Sequence, residues 1–354
     1  MSDIKRIMEC VPNFSEGQRP EAIAAIAAAI DSVNGTKLLH VDPGFDANRT
    51  VITFAGNPDS VVESAFRAVK CAAELIDMRT HTGRHPRIGA TDVLPLVPVQ
   101  GITLEECAEY ARKLSQRIYE ELGIPIYCYE AAAYKEKWSN LAVCRRGEYE
   151  ALPERIADPD EMPDYGGGEF TEQAARSGAS VVGARKFLIA VNFNLNKEAS
   201  VECAKEIALD VHEKGRIVKR DGVTVTDSNG VPVRNPGTLK ACKAIGWYIE
   251  EYGFAQVSMN ITDIDIAPLH KVYEEVCRAA AARGARVTGT EIIGLVPQRV
   301  LVEAGHYFAK QIGVICTNDD AAIDIAADTL NLSEIAPYIP SKRIIEKLLA
   351  AKEV

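Results

Sequence analysis

The segment that decides the fold is FAQVSMNIT, residues 254–262. Its apolar residues fall on every second position, which is typical of a strand with one face on a core and the other face polar. Residues 239–248 also have strand character and are predicted to pair with this strand. A helix with apolar residues at helical spacing follows at residues 269–284, and a last strand is predicted at 287–295.

A strand and a helix precede this pair. We predict the strand at residues 187–194 and the helix at 198–214, where apolar residues share one face and Gly215 follows the last turn. A hairpin insert with an Asn229-Gly230 turn stands between the helix and the next strand, and we assign it no function. The order is therefore βαββαβ, the split βαβ arrangement of ferredoxin-like folds.

The first half of the chain repeats this order of elements without repeating the residues. Pro20 and the pair Asn57-Pro58 begin two helices, and residues 103–106 form a capping box for a third. The predicted strands are residues 4–11, 37–42, 49–55, 93–99 and 124–129. The sequence thus predicts an α/β (α+β) protein of two ferredoxin-like βαββαβ subdomains with mixed or antiparallel sheets.

The boundaries of these subdomains are placed by composition. A polar stretch at residues 157–177 is predicted to separate the two halves. We place an N-terminal subdomain at residues 1–182, a C-terminal subdomain at 183–335 and a helical tail at 336–354.

Composition and charge restrict the class of protein. The 354 residues carry a formal net charge of -10, which argues against a nucleic-acid-binding surface but allows a local basic cleft. No apolar run approaches the roughly 18 residues of a membrane span, and the N-terminus lacks the apolar segment of a signal peptide. The nine cysteines contain no C-x-x-C pair, so we expect reduced thiols, no zinc site and a cytoplasmic protein.

The stretch richest in chemistry is HTGRHPRIGATD, residues 81–92, in a predicted loop between a helix and a strand. Histidine suits proton transfer because its reference pKa lies near neutrality. The competing interpretation is a surface loop with solvated charges, and spacing alone does not separate the two. Local spacing supports neither a Cys/His nor a Ser/His/Asp triad, and a histidine metal site would need ligands from elsewhere.

Four further segments carry polar or glycine-rich patterns: ECVPNFSEG at 9–17, HVDPGFDANRT at 40–50, DYGGGEF at 164–170 and GARKFLIAVN at 183–192. The first two are also explained as turns at strand ends, with Asp42 as a turn or cap residue. The glycine run lacks the Gly-Lys-Ser/Thr of a P-loop, so a flexible interdomain linker competes with a binding loop. The basic residues Arg185 and Lys186 either bind carboxylates or solvate a strand end.

Taken together, these segments resemble the formimidoyltransferase (formiminotransferase) family. The matching strings, in collinear order over most of the chain, are ECVPNFSEG (9–17), NRTV (48–51), LIDM (75–78), HPR (85–87), GA (89–90), GEYEALP (147–153), GARKFLIA (183–190), GWY (246–248), AQVS (255–258) and GLVP (294–297). Animal members of this family fuse the unit to a cyclodeaminase. This sequence ends soon after residue 346 and resembles the stand-alone form.

The resemblance implies a site as well as a fold. It implies a homodimer, with folate bound in a cleft between the two subdomains. The family's catalytic histidine falls on His85 and its assisting aspartate on Asp42. Its folate-contacting stretch falls on residues 166–178, which is longer here and has Ser177 where a tryptophan is expected. The folate-binding residues carried over are Gly166, Gly167, Gly168, Glu169, Phe170 and Gly178.

The implied reaction moves a formimidoyl group between 5-formimidoyltetrahydrofolate and L-glutamate, giving tetrahydrofolate and N-formimidoyl-L-glutamate. The glutamate amine must lose a proton and the folate ring nitrogen must gain one, and neutral His85 suits both steps. Asp42 suits stabilisation of the cationic group or orientation of the imidazole, and no metal is required. Basic side chains suit the carboxylates of both substrates. The candidates are Arg49, Arg84, Arg87, Arg185, Lys186 and Arg299.

Two alternatives stay open on the sequence. The same site could use 5-formyltetrahydrofolate as donor and form N-formylglutamate. A protein of another class, a non-catalytic folate-binding or storage protein, is less favoured because storage needs no proton shuttle at His85.

Overall fold

The structure of the chain is a computed structural model, which describes residues 6–45, 47–83 and 85–351. Contacts between residues divide it into two compact units, the first ending at Lys186 and the second beginning at Phe187. The second unit includes the C-terminal helices. The predicted domain boundaries after residues 182 and 335 stay predictions.

The first unit contains the strands and helices of the first βαββαβ set and an extension. Its strands are β1 (Ile7–Cys10), β2 (Asn13–Phe14), β3 (Thr36–Gly44), β4 (Arg49–Gly56), β5 (Thr91–Gln100), β6 (Ile126–Glu130) and β7 (Ser180–Ala184). Its helices are α1 (Pro20–Asp31), α2 (Pro58–Leu75), α3 (Leu104–Leu122), α4 (Leu141–Cys144), α5 (Leu152–Ala157) and α6 (Glu172–Ser177).

The helix starts predicted for this unit are confirmed. The Asn57 side chain accepts a hydrogen bond from the backbone N–H of Ser60 at the start of α2. Thr103 and Glu106 form the predicted capping box of α3. Each of these caps satisfies backbone N–H groups that the first turn of a helix leaves without partners. The helices therefore start where the sequence places them.

The sheet of the first unit has a ferredoxin-like half and a parallel half. Strands β3, β4, β1 and β5 are neighbours in that order, and each pair is antiparallel. This is the order of a βαββαβ fold, so the fold prediction is confirmed for this unit. Strand β7 then pairs parallel with β5 on one side and with β6 on the other. The polar stretch at residues 157–177 therefore lies before the last strand of the first unit and does not separate the halves.

Helices cover one face of this sheet. Met8, Phe54 and Leu96 lie in the core under α1, α2 and α3. On the opposite face, Tyr127 and Trp138 belong to a smaller core beside β6 and β7. The strands β3, β4 and β5 carry charged side chains on that same opposite face, as described below.

The second unit repeats the ferredoxin-like plan. Its strands are β8 (Ile189–Leu195), β9 (Arg216–Ile217), β10 (Lys219–Arg220), β11 (Val223–Thr224), β12 (Arg234–Asn235), β13 (Cys242–Ile249), β14 (Phe254–Ile261) and β15 (Val287–Ile293). Its helices are α7 (Val201–Val211), α8 (Leu269–Ala281), α9 (Gln298–Gln311), α10 (Asp319–Thr329), α11 (Pro340–Arg343) and α12 (Ile345–Ala350).

The alternating segment lies where the sequence predicts. Strands β13, β14, β8 and β15 form an antiparallel sheet in that order. The alternating residues Ala255, Val257, Met259 and Ile261 of β14 are each at most 2% exposed. The predicted βαββαβ order of the second half is confirmed.

The predicted hairpin insert is also present. The backbone N–H of Gly230 donates to Asp227 O at 3.1 Å, and Val233 N–H donates to Val225 O at 2.8 Å. The base of the arm is the antiparallel pair β9 and β12. In the part of the chain that is described, no helix is both long and apolar enough to cross a membrane.

Candidate active site

The segments singled out by the sequence meet at the N-terminal end of β5. Asn48, between β3 and β4, accepts a hydrogen bond from Gly17 N at 3.0 Å and donates to Thr82 O at 2.7 Å. Its own carbonyl accepts from His81 Nε2 at 3.1 Å. Asn48 has φ 46°, a left-handed conformation that asparagine tolerates better than most residues. One residue therefore ties together three separate segments.

A second set of bonds joins the same segments. Ser15 Oγ donates to Gly89 O at 2.7 Å, and Thr50 Oγ1 donates to Glu16 O at 2.5 Å. Both hydroxyls are buried. At Gly17, a Cβ would lie within 2.6 Å of Arg49 N, so only glycine permits this close approach. The matching strings at 9–17, 48–51 and 81–92 thus form one packed unit.

Asp42 and Arg49 share the sheet face that is opposite the helices. In the β3–β4 pair, Gly44 lies opposite Arg49 and Asp42 lies opposite Val51, so Asp42 and Arg49 point to the same side. Ile52, on the other side, is in the helix-covered core. Asp42 is exposed and Arg49 half-buried. Burial lowers the pKa of Arg49, and the negative charges of Asp92 and Asp42 oppose this.

Arg87 is held by acidic partners. Its guanidinium is bound by Glu150 through two bonds of 2.8 and 2.6 Å and by Glu148 at 3.0 Å. Arg87 Nε also donates to His81 Nδ1 at 3.3 Å. The bond with Glu150 is the first cause of a raised pKa at Arg87. The Arg87 side chain therefore links Glu148 and Glu150 to His81, and its N–H groups already have hydrogen-bond partners.

Arg145 is a functional candidate that the sequence analysis missed, together with Asp92, Glu148 and Glu150. Arg145 Nη2 forms an ion pair with Asp92 Oδ2, and Arg145 Nε lies 3.3 Å from Asp92 Oδ1. Asp92 is 1% exposed. The sequence signal was available in the string GEYEALP and in Arg145 just before it, but nothing local indicates which loop they contact.

His85 lies between these charged groups. Its ring is half-buried, and Nδ1 is buried without a hydrogen-bond partner in the described parts of the chain. Burial, followed by the positive charges of Arg49 and Arg145, lowers the pKa of His85 to about 4. The backbone of Pro86 and the charge of Glu148 act in the opposite direction. The imidazole is therefore neutral at pH 7 and can accept a proton.

The stretch predicted to bind folate divides into two parts. Gly178 packs on the His85 loop: it pairs with Gly89, and a Cβ at its φ of 68° would overlap Ile88 O. Gly166, Gly167, Gly168, Glu169 and Phe170 lie instead beside β6, where Tyr165 pairs with Ile126 and Gly168 N–H donates to Ile156 O at 2.8 Å. These bonds show that residues 164–170 are not a flexible linker.

The two parts lie at the same end of the sheet. Strands β5, β7 and β6 are parallel neighbours, so β6 is about 10 Å from β5. Gly178 lies near the start of β5, and residues 166–170 lie near the start of β6. An extended ligand of folate length is compatible with contacts to both parts.

The remaining basic candidates lie elsewhere. Arg185 and Lys186 follow β7, and Arg185 N–H donates to Leu96 O. Leu96 lies five residues along β5 from Thr91, so Arg185 is about 16 Å from the start of that strand. Arg299, in the second unit, is exposed and pairs with Asp265 at 2.8 Å. Arg84 lies outside the described residues.

Cysteines and possible metal ligands give no further site. The nine cysteines all lie in the described residues and form no disulfide there, and the reduced state of their thiols stays a prediction. Across residues 6–45, 47–83 and 85–351, no group of three or more His, Cys, Asp or Glu side chains is arranged to hold a metal ion.

The chain was compared with known proteins. Residues 7–185 match the family described as the formiminotransferase domain, N-terminal subdomain, and residues 190–350 match the formiminotransferase domain. The formimidoyltransferase-cyclodeaminase of Gallus gallus is 44% identical over 346 residues, which are 98% of this chain and 60% of that protein. The chain thus spans about 60% of the length of this relative.

Shorter relatives are covered almost completely. The glutamate formimidoyltransferase of Streptococcus pyogenes is 39% identical over 86% of this chain and 94% of its own length. That of Thermoplasma acidophilum is 38% identical over 87% and 93%. Because two family matches cover nearly the whole sequence, the chain belongs to the formiminotransferase domain family.

Proposed function

We propose that this chain is a glutamate formimidoyltransferase, which transfers the formimidoyl group between 5-formimidoyltetrahydrofolate and L-glutamate. The observation that carries the proposal is the half-buried His85, neutral between Arg49 and Arg145 and with Nδ1 unpaired in the described residues. Two relatives of matching length bear the name glutamate formimidoyltransferase. The family membership supports a reduced folate as the second substrate.

The proposed reaction is a transfer from one nitrogen to another. The glutamate amine attacks the formimidoyl carbon, a new C–N bond forms, and His85 takes the proton that the amine releases. The bond from that carbon to the folate ring nitrogen then breaks, and His85 returns the proton to this nitrogen. Atoms and charge balance without an oxidant or an added nucleophile, and the reverse direction uses the same steps.

Asp42 and Arg49 suit the charges of the reacting groups. The formimidoyl group is cationic when protonated, and a carboxylate such as Asp42 on the same face stabilises that charge. Asp92 and Asp42 act on the charge of Arg49, but no ion pair joins Arg49 to a carboxylate of the described residues. Arg49 is therefore the first candidate for the carboxylate of glutamate. Arg87 is a weaker candidate because Glu148 and Glu150 already engage it.

The folate is proposed to extend from Gly178 towards residues 166–170, at the starts of β5 and β6. Arg185 and Lys186, after the other end of β7, are candidates only for a carboxylate that reaches about 16 Å along the sheet. Arg299 stays a candidate of the second unit, where Asp265 competes for it. The homodimer, the cytoplasmic location and the absence of a metal requirement stay predictions.

A formyl donor is the second candidate. The formyl group is neutral and develops an oxyanion, which requires hydrogen-bond donors. Arg49 on the same face as Asp42 is such a donor, and this is the observation that keeps 5-formyltetrahydrofolate as an alternative.

A direct product assay tests the proposal. The purified full chain is incubated with tetrahydrofolate and N-formimidoyl-L-glutamate, and L-glutamate and 5-formimidoyltetrahydrofolate are followed by mass spectrometry. A parallel reaction supplies 5-formyltetrahydrofolate and L-glutamate. We expect faster transfer of formimidoyl, unchanged after treatment with a chelator.

The outcomes separate the alternatives. Turnover with the formyl donor alone would replace the proposed donor. Folate binding with no transfer from either donor would support a non-catalytic folate-binding protein. Activity lost with the chelator and restored by a metal would reveal a missed metal site.

A further inference from the structure

Asp92 is a buried carboxylate that the proposed reaction does not use. Strand β2 pairs with β5 through Asn13–Val93 and Phe14–Thr91, so the register skips Asp92. A bulge of this kind redirects the side chain of the extra residue. Asp92 accepts a hydrogen bond from Ile88 N–H at 3.0 Å, in the loop that carries His85, and forms the ion pair with Arg145. A charge buried this deeply requires such partners.

Residues 145–150, which include Arg145, pack against the loop that carries His85. Glu148 N–H donates to Arg145 O at 2.8 Å, which closes a tight turn, and Glu148 has φ 57°. Tyr149 N–H then donates to Arg87 O at 3.0 Å. The loop between His81 and Asp92 is therefore attached to residues 145–150 at Arg87, in its middle, and at Asp92, its last residue.

We propose that Arg145 is a positioning residue: ion-paired with buried Asp92, which also accepts from Ile88 N–H, it fixes the loop that carries His85 and keeps its own positive charge next to that loop. This inference rests on the proposed role of His85 in formimidoyl transfer. Arg145 directs its Nε and Nη2 groups at Asp92 and is not assigned to bind substrate.

The groups that act on His85 come from several elements. Arg49 at the start of β4 and Arg145 after α4 disfavour a protonated ring, and Glu148 favours it. Asp42 on β3 and Asp92 on β5 act on Arg49. Of the two cations, Arg145 has a buried ion-pair partner that fixes its position.

The test is a titration of the His85 ring by NMR, with the signal assigned by its loss in His85→Ala. In the wild-type chain we expect a midpoint near 4. In Arg145→Gln the midpoint should rise by about one pH unit or more. Arg145→Lys, which keeps the charge, should stay closer to the wild type. The control is Arg146→Gln, whose exposed side chain pairs with Glu161.

Activity supplies an independent readout. The acid limb of kcat/KM should move upward in Arg145→Gln in step with the titration and be partly restored in Arg145→Lys. In Arg145→Gln the carboxylate of Asp92 stays in the core without its ion-pair partner, which opposes folding. The double variant Asp92→Asn/Arg145→Gln therefore removes both charges, and it should show the same upward shift.

Two results are decisive. An unchanged His85 midpoint in a folded Arg145→Gln or double variant overturns this inference, whatever the activity. A wild-type chain that transfers no formimidoyl group, while His85 titrates as expected, overturns the proposed function instead.

Discussion

At the scale of single residues, the proposed transfer depends on the protonation state of His85. A neutral imidazole accepts a proton at pH 7, whereas a protonated one would repel the cationic formimidoyl group. Burial and the two neighbouring arginines disfavour the protonated form. Of these two arginines, Arg49 is the proposed donor for a substrate carboxylate, whereas Arg145 is held by Asp92.

Replacing His85 should affect rate far more than binding. We expect His85→Ala to lower kcat by roughly 10²- to 10⁴-fold, the usual contribution of a proton-transfer group, with little change in the Kd of tetrahydrofolate. His306→Ala is the control, because His306 is an exposed histidine of α9. His81→Ala should be less sensitive in rate, since its ring contacts Asn48 and Arg87. If His85→Ala and the wild type turn over at equal rates, His85 is not the proton-transfer group.

The pH dependence follows from the lowered pKa of His85. Between about 4 and the unperturbed value of 6.5, the unfolded chain binds a proton at this residue that the folded chain does not. Its contribution to the free energy of unfolding is therefore fully present above pH 6.5 and decreases as the pH falls towards 4. We expect the acid limb of kcat/KM to have a midpoint near 4. A midpoint near 6.5 in the wild-type chain would contradict this environment.

His85 and Asp42 were predicted through the family resemblance, and Arg49 as one of six basic candidates, because they lie in or beside strings that match the family. The sequence could not name Arg145, because a charged residue shows its role only through a partner distant along the chain. The sequence failed to indicate Asp92 for a second reason. Its side chain is redirected by a bulge, and the hydrophobic pattern of β5 does not reveal the bulge.

At the scale of secondary structure, close backbone approach holds the site loops together. Gly178 ends α6 with φ 68° and lies against Ile88 and Gly89. Such an approach leaves no space for a side chain, so the α6 connection and the His85 loop depend on each other.

We expect Gly178→Ala to destabilise the chain more than Gly222→Ala. Both glycines have positive φ, which costs a substituted residue about 1–2 kcal/mol. Only at Gly178 would the new Cβ also overlap a neighbour, because Gly222 has open space around it. Overlap of this kind adds about 1–3 kcal/mol. Urea denaturation measures the difference, and equal midpoints for the two variants would show that the contact is easily relaxed.

The elements that the sequence missed have weak local signals. Strand β7 is only five residues long and closely precedes β8, so the two resemble one longer segment. Helix α9 starts after Pro297 without a side-chain cap. Helix α10 has a good cap in Asn318, but two of its three buried residues are alanines, which give little apolar contrast.

At the scale of the whole molecule, the sequence predicts a basic cleft in an acidic protein. The chain has a net charge of -10, yet Arg49 and Arg145 lie beside His85 in the first unit. Local positive charge can attract carboxylate substrates even where the net charge is negative. Because Asp42, Asp92 and Glu148 lie near the same groups, the basic character of the cleft stays a prediction.

The last prediction concerns the independence of the first unit. We expect a fragment of residues 1–186 to fold cooperatively, because its contacts are mostly internal and it contains β7. A fragment of residues 1–179 should not, since β7 lies between β5 and β6 and its loss would leave both strands unpaired along those edges. Circular dichroism and urea unfolding compare the two fragments.

Activity of the 1–186 fragment tests a second expectation. The family resemblance predicts a folate cleft between the subdomains, so this fragment should fold and yet lose transferase activity, although it contains His85, Asp42 and Arg49. Similar unfolding curves for both fragments would show that β7 is dispensable. Full transferase activity in the folded 1–186 fragment would confine catalysis to the first unit, because no residue of the second unit would then be needed for binding or proton transfer.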